Sequence, residues 1–213
     1  MKLLVTVPNL HWVHASVAAV LLRLQMDQRY KLRIEFPSNK PYENNLHHII
    51  AGFITSDCDF WLNIDADNPP TRNPLDLVAL DKDIVGLPTP IWHFEDAMGE
   101  RAIYWNGYDY REANDAYAEH LPREGLQRVD AVGSGCMLIA RRVFHHPALQ
   151  CGAFSRQLYP DGTVHKGGDI SFCERATAAG FEIYCHYDYP CDHHNEISLN
   201  CVAKSMQNMA VTA

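Results

Sequence analysis

Apolar residues in the first third of the chain recur with two different periods, which predicts alternating strands and helices. Short runs rich in apolar and β-branched residues occupy positions 2–7, 31–36 and 60–64 and indicate strands. Between them, apolar residues fall at helical spacing over positions 13–24 and 44–55. A chain that alternates strand and helix in this way favours a parallel or mostly parallel sheet covered by helices. The opening pattern therefore predicts an α/β protein.

The same alternation continues after position 70, with one long interruption. A short helix that begins at Pro74 and a strand at 83–87 follow the third strand. Later, an apolar run at 129–140 indicates an interrupted strand, positions 170–179 have helical spacing, and 181–184 indicate the last strand. We find no internal repeat. The sequence favours one domain over positions 1–213, whose tail at 202–213 lacks strong signals and is expected to fray.

Positions 88–128 form the interruption, because neither period is visible there. A long, weakly patterned segment in a compact domain is more often a binding loop than a plain connection. The alternative is that its aromatic residues form a small second core beside the sheet. The segment is crowded with aromatic and imidazole side chains: Trp92, His93, Phe94, Tyr104, Trp105, Tyr108, Tyr110 and Tyr117.

Two carboxylates stand where the third strand ends. Asp65 and Asp67 follow the run 60–64, and the prolines at 69 and 70 forbid its continuation. Open α/β sheets bind ligands at the carboxyl ends of their strands, and alternate carboxylates there suit a hard divalent cation that carries a phosphorylated substrate. A solvated turn is the plainer interpretation, since Asp, Asn and Pro are common turn residues.

Three further motifs follow in order along the chain. Gly133-Ser134-Gly135 interrupts an apolar run, and glycines inside a strand indicate that another backbone or a ligand comes close. The run from Gly168 to Arg175 begins a helix that ends at Gly180, and Cys191-Asp192-His193-His194 follows the last strand.

This set of motifs, in this order, resembles the glycosyltransferases of the GT-A fold, most closely the family 2-like group. In that family a DxD motif ends a strand, a motif of the form (E/D)-D-x-x-F-x-x-R begins a later helix, and a final histidine follows the last strand. Asp169, Phe172 and Arg175 match the helix motif, whereas Gly168 stands where the family often has an acidic residue. The resemblance covers roughly positions 2–194.

The resemblance implies a GT-A α/β fold and an inverting, metal-dependent transfer of a sugar from a nucleotide-sugar, with UDP favoured, to an acceptor hydroxyl. It assigns Asp65, Asp67 and His193 to a divalent cation, Mn²⁺ or else Mg²⁺, with Asp65 bonding the ribose or the ion. His194 is the alternate to His193. Asp169 becomes the general base, and positions 88–128 become an acceptor-side insertion.

Donor contacts are expected from two kinds of position. Pro8 and Asn9 follow the first strand, and Ser38 and Asn39 follow the second. The small residues Gly133 and Ser134, together with Asp65, complete the expected donor set: Pro8, Asn9, Ser38, Asn39, Asp65, Gly133 and Ser134. Each of the first four is equally well a turn residue.

Other interpretations of these motifs remain open. Asp169 is also a suitable helix N-cap, and an ordinary solvated or core histidine is the plainer interpretation of His193. Cys185, His186 and the run 191–194 offer thiolate and imidazole ligands for zinc, although their spacing matches no common zinc module. At the level of function, a nucleotidyltransferase or a catalytically silent binding module for a nucleotide-sugar or glycan are the alternatives. A nucleotidyltransferase would normally show a Gly-rich basic loop, and the run 7–11 has no glycine.

Composition adds limits on location and partners. The chain has 213 residues and a net charge of -8, which disfavours passive attachment to nucleic acid or anionic lipid. The absence of a signal-like apolar core or membrane span predicts a cytoplasmic protein, the host cytoplasm if a phage encodes it, and its seven scattered cysteines predict free thiols. A glycan, a small molecule or a modified base in phage DNA all fit as acceptor. A basic face for DNA would come from Arg101, Arg111, Arg123, Arg128, Arg141 and Arg142.

Overall fold

A computed structural model describes residues 1–92 and 103–195 and shows a mixed α/β architecture. The first five elements have the predicted types, and their ends lie within two residues of the predicted ones. They are β1 Lys2–Thr6, α1 Ala15–Met26, β2 Lys31–Glu35, α2 Tyr42–Thr55 and β3 Phe60–Ile64.

Short strands dominate the rest of the described chain, with one further α-helix. The predicted short helix is a 3-10 helix, Pro74–Leu80, whose cap Asn73 accepts a hydrogen bond from the backbone N–H of Leu75 at 3.0 Å. A second 3-10 helix covers Arg141–His145. The remaining strands and the helix are β4 Ile84–Gly86, β5 Pro90–Trp92, β6 Ile103–Trp105, β7 Gly107–Arg111, β8 Ala116–Glu119, β9 Leu126–Val129, β10 Ala131–Val132, β11 Cys136–Ala140, β12 Gln157–Leu158, β13 Val164–Lys166, α3 Gly168–Ala178 and β14 Ile183–His186.

The central sheet has seven strands in the order β2-β1-β3-β11-β4-β14-β9. The pairs β1–β2, β1–β3 and β4–β14 are parallel, whereas β11 runs antiparallel to both β3 and β4 and β9 runs antiparallel to β14. Five strands therefore point the same way, which confirms the mostly parallel sheet that the sequence predicts.

Helices cover both faces of this sheet because residues on each strand alternate between faces. On β1, Leu3 and Val5 pack into one core with α1, while Leu4 packs into the other with α2 and α3. All three are buried. The described helices include none that is both long and apolar enough to cross a membrane.

The segment 88–128 contains β5 to β8 and most of β9, so it is more regular than its sequence pattern indicates. Its strands have three to five residues, which is too short for a period to be recognised. Tyr108 and Tyr117 pack against the core on the α2 and α3 side of the sheet, whereas Tyr110 is exposed. His93, Phe94 and the side chain of Trp92 lie outside the described residues, as do Arg101 and the predicted tail 202–213.

Candidate active site

The end of β3 lies at the middle of the sheet's carboxyl edge. Because β11 is antiparallel to β3, its amino end reaches the same edge, and the register pairs Ile64 with Cys136. One step further, the backbone N–H of Asp65 donates to the carbonyl oxygen of Gly135 at 2.7 Å. The register thus brings the Gly133-Ser134-Gly135 motif beside the Asp65-Ala66-Asp67 turn.

Two other segments hold this turn from its two sides. The backbone N–H of His14, just before α1, donates to the Ala66 carbonyl oxygen at 2.8 Å. The backbone N–H of His194, after β14, donates to the Asp67 carbonyl oxygen at 3.0 Å. The rings of His14 and His194 stack with their centroids 3.7 Å apart. The turn is therefore a fixed part of the fold rather than a loosely solvated one.

Asp65 is bonded through one carboxylate oxygen. Its Oδ1 accepts a hydrogen bond from the Tyr42 hydroxyl at 2.8 Å and another from Asn63 Nδ2 at 3.1 Å. The same Asn63 amide donates to the Ser134 carbonyl oxygen at 2.9 Å. Burial in the cleft, together with the nearby charges of Asp67 and Asp169, raises the pKa of Asp65 to about 7 despite these donors.

Asp67 and His193 face one another across a gap that suits a cation. Asp67 Oδ2 lies 3.7 Å from His193 Nε2, which is too far for a hydrogen bond. His193 Nδ1 lies 2.8 Å from the Pro90 carbonyl oxygen and donates to it, which leaves Nε2 as the nitrogen that faces Asp67. Metal-ligating histidines have this arrangement, in which the second nitrogen donates to a carbonyl. Asn195 Nδ2 lies 3.3 Å from the same Nε2.

The described residues contain no group of three His, Cys, Asp or Glu side chains placed to hold a metal ion. The Asp67–His193 pair fits a cation that takes its remaining ligands from substrate phosphates and water, as Mg²⁺ commonly does. The predicted zinc alternative would need such a group around Cys185, His186 and the run 191–194, and the described residues contain none. The side chain of Cys185 interacts with Tyr187, and that of Cys191 interacts with Cys136. The six described cysteines are free.

A cavity of about 440 Å³ begins at this turn and extends over the ends of β1 and β2. Its size suits a small-molecule ligand. Four of the predicted donor contacts line it, namely Pro8, Asn9, Asn39 and Asp65, while Ser38 lies exposed outside its lining. The side-chain amide of Asn9 donates to the Val7 carbonyl oxygen and accepts from the His11 N–H. The lining consists of Pro8, Asn9, Leu10, Trp12, Asn39, Lys40, Pro41, Tyr42, Asn45, Asp65, Ala66 and Asp67.

Asp169 lines a second cavity of about 270 Å³ on the other side of Tyr42. It lies in the first turn of α3, and its Oδ1 accepts a hydrogen bond from the Ile170 N–H at 2.9 Å. The N-cap of α3 is Gly167, so Asp169 is not itself the cap. Burial raises the pKa of Asp169 above its usual value. Ser134 also lines this cavity.

The glycines of both motifs stand where other groups leave no room. A Cβ on Gly168 would lie 2.5 Å from the Phe154 carbonyl oxygen, so an acidic side chain does not fit there without a backbone shift. Gly133 is buried against the side-chain amide of Asn106, and a Cβ on Gly135 would lie 2.5 Å from Asn68 Nδ2. Gly133 lies outside both cavity linings.

Several residues of the site were not predicted from the sequence. Tyr42 lines both cavities, Trp12 is 55% exposed at the edge of the larger one, and Arg156 lines the smaller one beside its ion-pair partner Glu43. The predicted start of α2 at position 44 left Tyr42 in a loop. Pro41 was the available signal, because proline is common at the start of a helix.

The predicted basic face is largely neutralised by its neighbours. Arg111, Arg123, Arg128 and Arg142 each form an ion pair with Asp or Glu. Arg141 donates instead to the carbonyl oxygens of two residues at the end of α2 and after it. Arg175, in the helix motif, donates to the Gly152 carbonyl oxygen at 2.8 Å.

The sheet order and the position of the turn at its carboxyl edge define an α/β fold of the GT-A type. Two solved structures share this architecture. A197 from STIV superposes with a TM-score of 0.60 at 14% identity, and the match covers 92% of this chain and 87% of that one. GalNAc-T7, solved with UDP, GalNAc and Mn²⁺, superposes with a TM-score of 0.53 at 9% identity. That match covers 93% of this chain and 44% of GalNAc-T7, so the chain spans less than half of that protein.

These likenesses confirm the predicted GT-A fold class. UDP-glucose pyrophosphorylase complexed with UDP-glucose reaches a TM-score of only 0.45 at 9% identity, covering 100% of this chain and 82% of that one, and that likeness carries no weight here. No family model matches the chain, and no curated protein matches it. Assignment to the family 2-like group therefore stays a prediction.

Proposed function

We propose that this protein is a metal-dependent, inverting glycosyltransferase that transfers a sugar from a UDP-sugar to an acceptor hydroxyl. The observation that carries the proposal is the meeting of two cavities at Tyr42, with Asp65 and the Asp67–His193 gap on one side and Asp169 on the other. GalNAc-T7, which shares the fold, was solved with UDP and Mn²⁺. Its ligands support a UDP-sugar as donor and a divalent cation as cofactor.

Asp67 and His193 are the proposed cation ligands, because Asp67 Oδ2 and His193 Nε2 face one another while His193 Nδ1 donates to the Pro90 carbonyl oxygen. A divalent cation there neutralises charge on the departing diphosphate. Tyr42 and Asn63 occupy Oδ1 of Asp65, so we assign its Oδ2 to the ribose or the cation. A cation nearby favours the charged form of Asp65 and so opposes the effect of burial on its pKa.

Asp169 is the proposed general base. The acceptor hydroxyl must lose its proton as it attacks the anomeric carbon, and a carboxylate with a raised pKa accepts a proton more readily than an ordinary one. Asp169 stands across the smaller cavity from Tyr42 and Ser134. Attack from the face opposite the diphosphate inverts the configuration at that carbon.

The acceptor can be a glycan, a small molecule or a modified DNA base. Among the arginines of the predicted basic face, the described ones are occupied by ion pairs or backbone carbonyl oxygens. This occupancy favours the first two acceptor classes over DNA.

A screen for donor hydrolysis with and without Mn²⁺ tests the proposal. UDP release from a panel of UDP-sugars is measured for the wild type, for Asp67→Asn and for Asp57→Asn. We expect Mn²⁺-dependent release by the wild type and a large loss in Asp67→Asn. Asp57 is the matched control because it is an exposed carboxylate at the opposite end of β3.

The products separate the alternatives. A nucleotidyltransferase consumes pyrophosphate and releases a sugar 1-phosphate, whereas a silent module binds the donor without turnover. The proposal fails if no UDP-sugar is bound or hydrolysed under any metal condition.

A further inference from the structure

Tyr42 occupies a junction that the proposed reaction has not yet used. It is the first residue of α2 and lines both the larger cavity and the smaller one. The other described residues of the two linings belong to one cavity each. Anything that reaches from the Asp67 turn to Asp169 through these cavities passes Tyr42.

The position of Tyr42 is fixed by the start of α2. The backbone N–H groups of Asn44 and Asn45 donate to the Pro41 carbonyl oxygen at 3.0 and 3.3 Å. The buried Asn45 amide donates to the Pro37 carbonyl oxygen at 3.0 Å, which ties the loop after β2 to the helix. A side chain on such a helix start is positioned more sharply than one on a free loop.

The Tyr42 side chain makes two separate contributions. Its hydroxyl donates to Asp65 Oδ1 at 2.8 Å and so orients the carboxylate. The residue as a whole is 38% exposed, and it lines both cavities. The hydroxyl therefore acts on the Asp65 carboxylate, whereas the ring contacts any part of a ligand that extends from the larger cavity into the smaller one.

We propose that Tyr42 is the residue that positions the donor and selects its sugar. Its hydroxyl orients Asp65 towards the nucleotide part of the donor. Its ring contacts the sugar where the two cavities meet. This inference rests on the proposed function, because it assigns the larger cavity to UDP and the region past Tyr42 to the sugar.

The cavity sizes support this division. The larger volume, about 440 Å³, lies within the usual range of small-molecule sites, and the smaller, about 270 Å³, lies just below it. The smaller one has an apolar floor of Leu46 and Phe154 and a rim formed by the Glu43–Arg156 ion pair. An apolar floor with donors and acceptors at its rim suits a single sugar ring rather than a second nucleoside.

Two substitutions separate the hydroxyl from the ring. Calorimetric Kd values are measured with Mn²⁺ for UDP and for UDP-glucose, UDP-galactose and their N-acetylamino counterparts. Tyr42→Phe should weaken UDP and the preferred UDP-sugar equally, by roughly tenfold, because it removes one hydrogen bond to a charged group. Tyr42→Ala should weaken the UDP-sugar by roughly a further tenfold relative to UDP and reduce the preference among sugars.

Controls guard against a general loss of structure. Tyr184→Phe removes a comparable hydroxyl, one that donates to Glu182 at 2.7 Å. Tyr184 lines neither cavity, so this variant should leave every Kd unchanged. Tyr42→Leu replaces Tyr42→Ala in the experiment if the alanine variant folds poorly. It retains more side-chain volume than alanine but lacks the aromatic face, so the same loss of sugar preference is expected. Thermal unfolding verifies that each variant is folded.

The outcomes distinguish this inference from the proposed function. If the wild type binds a UDP-sugar and folded Tyr42→Ala keeps the wild-type ratio of Kd values for UDP and UDP-sugar, the role of Tyr42 is refuted while the proposed function stands. If the wild type binds neither UDP nor any UDP-sugar, both are refuted.

Discussion

The two sides of the candidate site hold their carboxylates in different ways. On the Asp65 side, donors from α2 and β3 meet one carboxylate oxygen, and Gly135, just before β11, accepts a hydrogen bond from the backbone N–H of the same residue. On the Asp169 side, the carboxylate accepts a hydrogen bond from the next residue of its own helix, Ile170. Burial raises the pKa of both carboxylates.

The two carboxylates therefore differ in how much freedom their surroundings leave them. A carboxylate that several elements hold has little freedom left and suits a fixed electrostatic role. A carboxylate that is hydrogen-bonded by backbone N–H groups of its own helix turn keeps its capacity to accept a proton from a ligand. We therefore expect substitutions on the two sides to impair different properties. Those near Asp65 should weaken donor and cation binding, and those at Asp169 should lower turnover.

The largest expected effect is that of Asp169→Asn. Turnover should fall by roughly 10²- to 10⁴-fold, the usual contribution of a general base, while the Kd for the UDP-sugar stays near the wild-type value. Steady-state transfer assays and calorimetry measure the two quantities. Unchanged turnover would remove Asp169 from its proposed role and erase the contrast with Asp65.

His193→Ala should act on the cation side. The Mn²⁺ concentration for half-maximal activity should rise by roughly 10- to 100-fold, because Asp67 then faces the cation without its imidazole partner. A Mn²⁺ titration of donor hydrolysis measures this shift. His48→Ala, an exposed imidazole on α2, is the control and should leave the titration unchanged. An unshifted titration for His193→Ala would contradict the proposed cation pair.

Gly168→Ala tests why the Asp169 side has a single acid. The added Cβ would lie 2.5 Å from a backbone oxygen, so unfolding free energy should fall by about 1–3 kcal/mol. Gly52→Ala, inside α2 with open space around it, should instead raise it by about 0.5–1 kcal/mol. Urea unfolding at equal pH measures both. Equal stability of the two variants would show that packing does not explain Gly168.

The smallest expected effect concerns pH and the metal-free protein. Since the pKa of Asp65 is raised to about 7, the folded state binds its proton more tightly than the unfolded state, in which the pKa is 3.8. That contribution to stability is present below about pH 4 and is lost as pH rises towards 7. Asp65→Asn mimics the protonated form, so its stability relative to the wild type should increase between pH 4 and 7.5. A constant difference across this range would contradict a raised pKa.

Much of the fold follows from patterns that repeat over many residues. β3 and α1 were predicted because their apolar positions match one period clearly, and the end of β3 because prolines stop a strand. Strands such as β5 and β6 have only three residues each, so no period can establish itself in them. These elements are fixed by pairing across the chain rather than by their own sequence.

The candidate site shows the same limit. Asp65, Asp67 and Asp169 were predicted from motifs, but Tyr42 carries no local signal of its role, because that role depends on α2 packing across the end of β3. The sequence also left open whether Gly133 and Gly135 make room for a ligand or for the protein. Side-chain amides from Asn106 and Asn68 fill that space, and these residues lie far away along the chain.

The pairing of residues 67–71 with 190–194 has a consequence for the order in which the protein is made. Thr71 and Asp192 donate across this pairing to the carbonyl oxygens of Pro190 and Pro69, and it is this contact that brings His193 to Asp67. A nascent chain that has been synthesised as far as β14 already contains the sheet, the cleft and Asp169. It still lacks the imidazole. Asp67 and His193 are therefore brought together only after the rest of the cleft has been synthesised.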